Sequence, residues 1–177
     1  MRQVKTLFSE ELVRARVSEL AFELRENYKN SEPLLVGVLK GCVYFLSDLS
    51  REMGGKLAID FMAIESYEGM TSTGAVKIRM DLGTNIEGRD VLIVEDIVDT
   101  GLTLGYLVDL LEARNPKSLK VVSLLFKPAG FSGKYHPDFV GFEIPNDFVV
   151  GYGMDLGERH RNLRYIGRME PRGPASS

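Results

Sequence analysis

The sequence predicts an α/β fold in which a mainly parallel twisted sheet is flanked by helices on both faces. Apolar runs without alternation, such as 34–39 and 91–94, are typical of strands that are covered on both sides. Stretches with a helical spacing of apolar residues separate these runs, as expected where helices join parallel strands. The 177 residues are 44% hydrophobic and 27% charged, which suits a domain with its own core and excludes a disordered chain.

The first part of the chain alternates between helix and strand. Ser9 suits a helix N-cap, and acidic residues follow it, as is favourable at a helix N-terminus. Apolar residues then recur every three or four positions, which predicts an amphipathic helix of about 18 residues that ends near 27–30. The run 34–39 predicts a buried strand. A helix over 42–53 follows, and an apolar stretch over 57–64 predicts the next strand.

The middle of the chain contains a predicted mobile loop and the strongest strand. Residues 66–74 are rich in Gly, Ser and Thr and have little to bury, so they predict a mobile loop. Residues 75–80 alternate like a strand with one solvated face. The buried strand 91–94, a helix over 102–113 and a strand over 119–126 complete this part.

The last part is predicted to hold a loop, two short strands and a tail. Prolines and small residues over 127–137 predict the loop, and 138–144 and 148–152 predict the strands. Residues 171–177 are predicted to be disordered. No repeat or long linker divides the chain, so residues 1–177 are predicted to form one domain, with a small hood or flap built from the terminal segments.

Composition excludes several classes of function. Lys and Arg number 22 against 25 Asp and Glu, and the resulting net charge of −3 argues against a globally basic nucleic-acid surface. One cysteine, Cys42, and two histidines argue against a structural zinc site and indicate a reducing compartment. The longest apolar stretches reach only about seven residues, whereas a membrane helix needs about 20. With no signal segment recognised, the sequence predicts a cytoplasmic protein.

Three acidic residues lie at the end of the strongest predicted strand. Glu95, Asp96 and Asp99 follow the run 91–94, and ligands bind at the carboxyl ends of strands in open α/β sheets. Carboxylates there can hold a hydrated Mg²⁺, accept hydrogen bonds from sugar hydroxyls or take a proton. Because three neighbouring acids repel one another, a purely structural loop gains nothing from them, and the cluster indicates a binding site.

A predicted helix N-terminus follows these acids directly. Thr100 and Thr103 offer hydroxyl donors, Gly101 allows close approach to the backbone, and the first helical turn has free N–H groups. Taken alone, an Asp-Thr-Gly string can simply cap a helix. Together with the acids, it favours a ligand that has a phosphate, a polyol and a metal, and a phosphorylated ribose meets all three requirements.

Segment 91–103, Val-Leu-Ile-Val-Glu-Asp-Ile-Val-Asp-Thr-Gly-Leu-Thr, resembles the phosphoribosyl-diphosphate motif of type I phosphoribosyltransferases. Four further segments, in the same order as in that family, make the chain most similar to its hypoxanthine-guanine members. They are Leu39-Lys40-Gly41, Glu65-Ser66-Tyr67, Lys127, and the stretch from Asp138 to Pro145 that leads to Phe148 and Asp155.

The resemblance implies a reaction of purine salvage. A 6-oxopurine, hypoxanthine or guanine or both, would receive a phosphoribosyl group at N9 from 5-phosphoribosyl 1-diphosphate, giving IMP or GMP and diphosphate. The resemblance also implies Mg²⁺ as cofactor, small-molecule substrates without a nucleic-acid or membrane partner, and a homodimer or homotetramer. The choice among hypoxanthine, guanine and xanthine is left open.

The resemblance further implies a role for each site residue. Asp99 is the implied general base at purine N7, and Lys127, Phe148 and Val149 are the implied purine contacts. The implied contacts of phosphoribosyl diphosphate are Lys40, Gly41, Glu95, Asp96, Asp99, Thr100, Gly101, Leu102, Thr103 and Arg161. The implied metal residues are Glu95, Asp96 and Asp155. Ser66 and Tyr67 begin the loop that would close over the site.

Other interpretations compete with this one. Lys40 after a strand is often a solvated lysine, and Phe148 in a Phe-Val-Val sequence is often a core residue. An RNA-binding regulator of the same fold is an alternative function, for which the arginine-rich segment 158–172 is the only support. A phosphotransfer receiver or phosphatase, with a nucleophilic Asp at a strand end, is a third.

Overall fold

The computed structural model describes residues 3–66 and 76–170. Its helices are α1 (Glu10–Asn27), α2 (Val43–Met53) and α3 (Leu102–Glu112). Its strands are β1 (Val4–Phe8), β2 (Leu34–Leu39), β3 (Ala58–Ser66), β4 (Val76–Met80), β5 (Asp90–Val98), β6 (Ser118–Phe126), β7 (Phe139–Glu143), β8 (Val149–Val150) and β9 (Ile166–Met169).

The central sheet has the strand order β4-β3-β2-β5-β6-β7. Strand β4 runs antiparallel to β3, and all other neighbours are parallel. Strand β2 lies in the middle, where Val36 pairs with Asp60 of β3 on one side and Ile93 of β5 on the other. The predicted mainly parallel α/β sheet is confirmed.

Helices cover both faces of this sheet, as β5 shows. Leu92 and Val94 pack in the core that contains the buried faces of α1 and α2, whereas Val91 and Ile93 pack in the core that contains α3. All four side chains are fully buried. Because successive residues of a strand point to opposite faces, a strand covered on both sides must be apolar at every position.

Helix α1 shows that local signals suffice for some boundaries. The hydroxyl of Ser9 accepts a hydrogen bond from the amide of Leu12 at 3.3 Å, as expected for an N-cap. The buried side chains of the helix recur at helical spacing: Val13, Val17, Leu20, Ala21 and Leu24. The predicted helix is confirmed.

A second, antiparallel sheet has the order β1-β9-β8 and is built mainly from the terminal segments. The predicted hood is therefore present, but the sequence did not predict β1 and β9. Both are short, and each pairs with a part of the chain distant in sequence, so neither has a strong local signal. The predicted strand 148–152 is reduced to β8, because Gly151 with φ of 97° leaves the extended conformation.

One predicted strand is longer in the structure than expected, and two predicted segments lie wholly or mostly outside the described residues. Strand β5 extends to Val98, beyond the predicted 91–94, so Glu95 and Asp96 lie within the strand rather than after it. The predicted loop 66–74, apart from Ser66 at the end of β3, and the predicted disordered tail 171–177 lie outside the described residues. In the part of the chain that is described, no helix is long and apolar enough to cross a membrane.

Candidate active site

Two adjoining cavities open at the carboxyl ends of β2, β5 and β6. The first, of about 240 Å³, is bordered by the end of β2, the end of β5 and the start of α3. The second, of about 270 Å³, lies between the end of β5, Lys127 after β6, and the hood. Both are lined by Asp96, Ile97 and Asp99, so they form two halves of one elongated site.

The first half contains the start of α3. Gly101 precedes the helix with φ of 80°, a backbone conformation that side-chain-bearing residues rarely adopt. Gly101 has no side chain with which to cap the helix, and the amide of Leu102 has only a long contact, 3.5 Å, with the hydroxyl of Thr100. Thr100 and Thr103 line this cavity, whereas the side chain of Leu102 is 64% exposed and offers no polar group. The arrangement suits an anion.

The loop after β6 packs against the backbone at the start of α3. The amide of Ser132 donates to the carbonyl of Thr100 at 3.1 Å. A Cβ atom on Gly133 would lie 2.9 Å from the Cα of Gly101, and the ring of Phe131 fills the space where a side chain on Gly101 would go. The segment 131–133 thus fixes the backbone that presents the amides of α3.

Glu95 and Asp96 bring carboxyl groups into the walls of the first cavity. Glu95 is buried, and its loss of solvation, together with the charge of Asp96, raises its pKa well above the usual value. Burial likewise raises the pKa of Asp96 to about 6, opposed by the hydrogen bond that its carboxylate accepts from the amide of Ile97 at 2.9 Å. These two carboxyls favour a bound partner that supplies hydrogen-bond donors or positive charge.

Lys40 and Gly41 follow β2, and Gly41 lines the same cavity. The peptide bond between Leu39 and Lys40 is cis. Gly41 packs directly on the carboxylate of Asp96, and a Cβ at Gly41 would overlap it. On its other side, the carbonyl of Gly41 leaves no room for a side chain at Gly153 of the hood. Gly41 therefore allows β2, β5 and the hood to meet at one point.

The second half of the site is dominated by one ion pair. Lys127 Nζ lies 2.7 Å from Asp99 Oδ2, although the two residues are far apart in sequence. The side chain of Lys127 is 9% exposed and that of Asp99 is 45% exposed, so the ammonium is enclosed while the carboxylate faces the cavity. The amide of Lys127 donates to the carbonyl of Val98 at 3.0 Å, which ties the two strand ends together.

Phe148 and Val149 form the hood side of this half. Phe148 is 50% exposed and lines the cavity, so the interpretation of Phe148 as a core residue is wrong. Val149 is buried and also lines this cavity. A flat ligand between Phe148 and the Asp99–Lys127 pair would have an aromatic surface on one side and hydrogen-bonding groups at its edge.

Arg161 and Asp155 belong to a network within the hood. Arg161 Nη2 lies 2.8 Å from Asp155 Oδ1, and Arg161 Nη1 donates to the carbonyl of Gly153 at 2.8 Å. Glu158 lies 3.3 Å from Arg161 and 3.0 Å from Lys40. Glu158 could not be found from the sequence, because a lone glutamate in a loop has no distinguishing pattern.

The structure brings together most of the predicted site residues. The first cavity is lined by Gly41, Glu95, Asp96, Asp99, Thr100, Gly101 and Thr103, and the second also by Lys127, Phe148, Val149 and Asp155. Lys40, Leu102 and Arg161 line neither cavity. Ser66 ends β3, and Tyr67 lies outside the described residues. The contact between Asp99 and Lys127 was not predicted. The sequence indicates only that each residue lies near the end of a strand, and not that the two side chains meet.

The predicted metal residues do not form a preformed cluster. Within residues 3–66 and 76–170, no group of three or more His, Cys, Asp and Glu side chains is arranged to hold a metal ion. Mg²⁺ commonly binds through one or two carboxylates, water and substrate phosphates, so it does not require such a group. Asp96 fits such an ion because burial raises its pKa, and a bound cation would favour the ionised carboxylate. The charges nearby act in opposite directions, since Arg161 lowers the pKa of Asp96 and the smaller effect of Asp155 raises it.

Comparison with known proteins gives a consistent result. Residues 3–156 match the phosphoribosyl transferase domain family. A hypoxanthine-guanine phosphoribosyltransferase of Bacillus subtilis (strain 168) is 52% identical over 168 residues, which cover 94% of this chain and 93% of that protein. The corresponding protein of Mycobacterium avium is 47% identical and covers 94% of this chain and 85% of its own.

Solved structures agree with these relatives. A hypoxanthine-guanine phosphoribosyltransferase of Bacillus anthracis has a TM-score of 0.91 at 40% identity, with 95% of this chain and 100% of that chain covered. A hypoxanthine phosphoribosyltransferase of Trypanosoma cruzi, solved in complex with its product IMP, has a TM-score of 0.89 at 40% identity, with 96% and 95% covered.

Proposed function

The chain belongs to the phosphoribosyl transferase domain family, among its hypoxanthine-guanine members, and from this premise we propose how its residues divide the reaction. The protein is a purine-salvage enzyme that transfers phosphoribosyl from 5-phosphoribosyl 1-diphosphate to N9 of a 6-oxopurine. Nothing in the comparisons favours the RNA-binding alternative.

The Asp99–Lys127 pair is the observation that best supports the proposed roles at the purine. On a 6-oxopurine, N7 and the 6-oxo oxygen are neighbours on the same edge of the ring. Asp99 and Lys127, 2.7 Å apart, can meet these two atoms side by side. Asp99 would accept the N7 proton, Lys127 would donate to the oxygen, and Phe148 would stack on the ring while the Val149 backbone contacts its edge.

The phosphoribosyl group would lie in the first half of the site. The amides and hydroxyls of the segment 99–103 would bind the 5′-phosphate at the start of α3. Leu102 would contribute its amide and not its side chain. Glu95 and Asp96 would accept hydrogen bonds from the ribose 2′- and 3′-hydroxyls, because both carboxyls lack a cationic partner at hydrogen-bond distance among the described residues.

The diphosphate would bind between β2 and the hood. Lys40, the amide of Gly41 and Arg161 are the proposed contacts, and Ser66 and Tyr67 would begin the loop that excludes water during the reaction. Asp96 and Asp155, with Glu95 beyond them, would hold Mg²⁺ directly or through water. When bound, Mg²⁺ would neutralise part of the diphosphate charge and so favour its departure.

The proposed chemistry is a single displacement at C1′ of the ribose. Purine N9 forms a bond to C1′, the bond from C1′ to the diphosphate oxygen breaks, and the diphosphate leaves with the electron pair. The proton of N7 passes to Asp99. Lys127 lies beside the acceptor, so it can exchange its contact with Asp99 for one with the 6-oxo oxygen when the purine enters.

A homodimer or homotetramer and a cytoplasmic location stay predictions. Light scattering of the purified protein at several concentrations tests the oligomeric state, and the expected mass is that of two or four chains.

The substrate class is tested by incubation with Mg²⁺ and phosphoribosyl diphosphate and each of hypoxanthine, guanine, xanthine and adenine separately. Nucleotide formation is expected with hypoxanthine or guanine or both. Adenine should be a poor substrate, because Lys127 is a donor and cannot pair with the 6-amino group. Equal turnover of adenine and hypoxanthine would contradict the role of Lys127, and no turnover of any base would contradict the proposed chemistry.

A further inference from the structure

Glu158 joins the two cationic side chains that are proposed to bind diphosphate, so any role for it rests on that proposed function. One carboxylate oxygen lies 3.0 Å from Lys40 Nζ, and the other lies 3.3 Å from Arg161 Nη2. Lys40 comes from the central sheet and Arg161 from the hood. A single carboxylate therefore bridges the two sides of the diphosphate site, as an oxygen-rich anion would have to do.

The backbone holds Glu158 at the tip of a tight turn. Leu156 and Arg159 exchange two backbone hydrogen bonds, of 3.1 and 3.3 Å, so Gly157 and Glu158 are the central residues. Both have positive φ, 59° and 63°. Turns of this kind favour Gly, Asn or Asp at both positions, so a glutamate here departs from the local preference.

A further hydrogen bond holds the backbone of Glu158 in this conformation. The amide of Glu158 donates to Asp155 Oδ2 at 2.7 Å. Residues that break a local rule are frequent at functional sites, where the cost is offset by what the side chain does. Here the turn directs the carboxylate toward Lys40.

The two cations depend on Glu158 to different extents. Arg161 also contacts Asp155 and the carbonyl of Gly153, each at 2.8 Å, so it stays anchored without Glu158. For Lys40, Glu158 is the one ion-pair partner among the described residues. The side chains of Lys40 and Glu158 are 68% and 66% exposed, so water weakens their attraction and a stronger anion can replace it.

We propose that Glu158 is an internal competitor of the diphosphate group for Lys40 and Arg161. Without diphosphate, it keeps the ammonium of Lys40 close to Arg161. Diphosphate, with more charge and more acceptor oxygens than a carboxylate, displaces Glu158, but binds less tightly than it would without this competitor. The competition affects phosphoribosyl diphosphate and diphosphate, and leaves the purine and the 5′-phosphate, which bind elsewhere in the site, unaffected.

The test is Glu158→Gln, which keeps the size of the side chain and removes its charge. Product inhibition by Mg²⁺-diphosphate should become about two- to fivefold tighter, the factor that corresponds to a weak exposed ion pair. The KM for phosphoribosyl diphosphate should fall by a similar factor, and the affinity for IMP should not change. The difference from the wild type should shrink as salt is added.

Glu87→Gln is the matched control. Glu87 is exposed and precedes β5, so it lies at the opposite end of the sheet from the site, and its substitution changes the net charge equally. Inhibition by diphosphate should match the wild type in this variant. Equal tightening in both variants would overturn the proposal in favour of overall charge, and weaker or unchanged inhibition in Glu158→Gln alone would overturn it as well. A wild-type protein that forms no nucleotide would instead overturn the proposed function.

Discussion

Asp99 occupies a position from which a carboxylate can both reach a purine and exchange partners. Its side chain is 45% exposed toward the cavity, while the ammonium that it contacts is enclosed. The side chain of Lys127 is buried, and its backbone amide donates a hydrogen bond to the carbonyl of Val98. Because Lys127 is held in this way, its ammonium fixes the direction in which the carboxylate of Asp99 points. The pair links proton acceptance and recognition of the 6-oxo oxygen in one contact.

Asp99→Asn should therefore lower kcat by about 10²- to 10⁴-fold, the usual contribution of a general base, with a much smaller change in the affinity for phosphoribosyl diphosphate. Steady-state kinetics and a direct binding titration provide the two values. Asp109→Asn, an identical substitution on the exposed side of α3, is the control and should leave both values unchanged. A loss of equal size in turnover and binding would show that Asp99 only binds or caps.

Asp96 gives a prediction about stability and pH. Its pKa in the folded protein is raised to about 6 by burial, from an ordinary value of 3.8, so the folded state binds more protons than the unfolded state between these values. Stability from this group is greatest when it is protonated at low pH and is lost as the pH rises through about 6. The ionised carboxylate is thus a destabilising feature of the ligand-free protein at neutral pH.

Asp96→Asn should raise the Tm of the ligand-free protein at pH 7.5 by up to roughly 6–12 °C, because a pKa shift of about two units corresponds to about 3 kcal/mol, and the gain should vanish below about pH 4. Asp90→Asn is the opposite control. The hydrogen bond from Ser118 and the contact with Lys117 hold the pKa of Asp90 below its usual value, so its ionised form is stabilising and the variant should have a lower Tm at pH 7.5. A lower Tm for both variants would contradict the unfavourable burial of Asp96.

At the scale of elements, the contact between the loop after β6 and the start of α3 joins the purine half of the site to the phosphate half. Gly133→Ala would bring a Cβ to 2.9 Å from the Cα of Gly101, so that one of the two backbones must shift. The shift would disturb the amides proposed to bind the 5′-phosphate. We expect affinity for IMP to fall about tenfold or more, because several charge-assisted hydrogen bonds depend on this backbone, with little change for inosine, which lacks the phosphate.

Gly105→Ala is the matched control within α3. A Cβ at Gly105 meets no atom within 4 Å outside the local backbone of its own helix, so the same substitution should leave IMP binding intact and, since alanine favours helix, should not lower the Tm. Isothermal titration with IMP and inosine measures both variants. Equal loss of IMP and inosine affinity in Gly133→Ala would indicate general damage to the site rather than a displaced phosphate loop.

The elements that could be predicted from the sequence are those whose signals are local. Helix α1 has a cap and a periodic apolar face, and β2 is apolar at every position, so their limits follow from a few residues each. Strands β1 and β9 are stabilised by pairing with each other across the length of the chain, and a short segment such as Val4–Phe8 has no pattern that reveals such a partner. The end of β5 was missed for a related reason, since polar residues at a site interrupt the apolar run while the strand continues.

The candidate site also has a part that could be predicted from the sequence and a part that could not. The segment from Glu95 to Thr103 is contiguous, so its acids and its helix start could be interpreted together. The contacts of Lys127 with Asp99 and of Glu158 with Lys40 cross between elements, and only the fold brings them together.

At the scale of the whole molecule, the site lies between two sheets. The end of the central sheet and the segment after it supply Glu95, Asp96, Asp99 and Gly101, and Lys127 follows β6. The hood side supplies Phe148, Val149 and Asp155. Gly41 and Gly153 pack against each other at the point where the two parts meet. A ligand that contacts both sheets must therefore stabilise the molecule as a whole, and not only the loop to which its phosphate binds.

A product nucleotide should raise the Tm accordingly. A ligand present at 100 times its Kd adds about 2.7 kcal/mol to the free energy of unfolding, which corresponds to roughly 5–11 °C for a protein of this size. IMP and GMP should reach this shift at lower concentration than AMP, which has the same ribose and phosphate but offers Lys127 no oxygen at position 6. Differential scanning calorimetry over a concentration series gives the comparison. In Lys127→Met, the preference for IMP over AMP should be lost while the phosphate contribution common to both remains, and a preference that survived this substitution would place the recognition of the 6-oxo group on another residue.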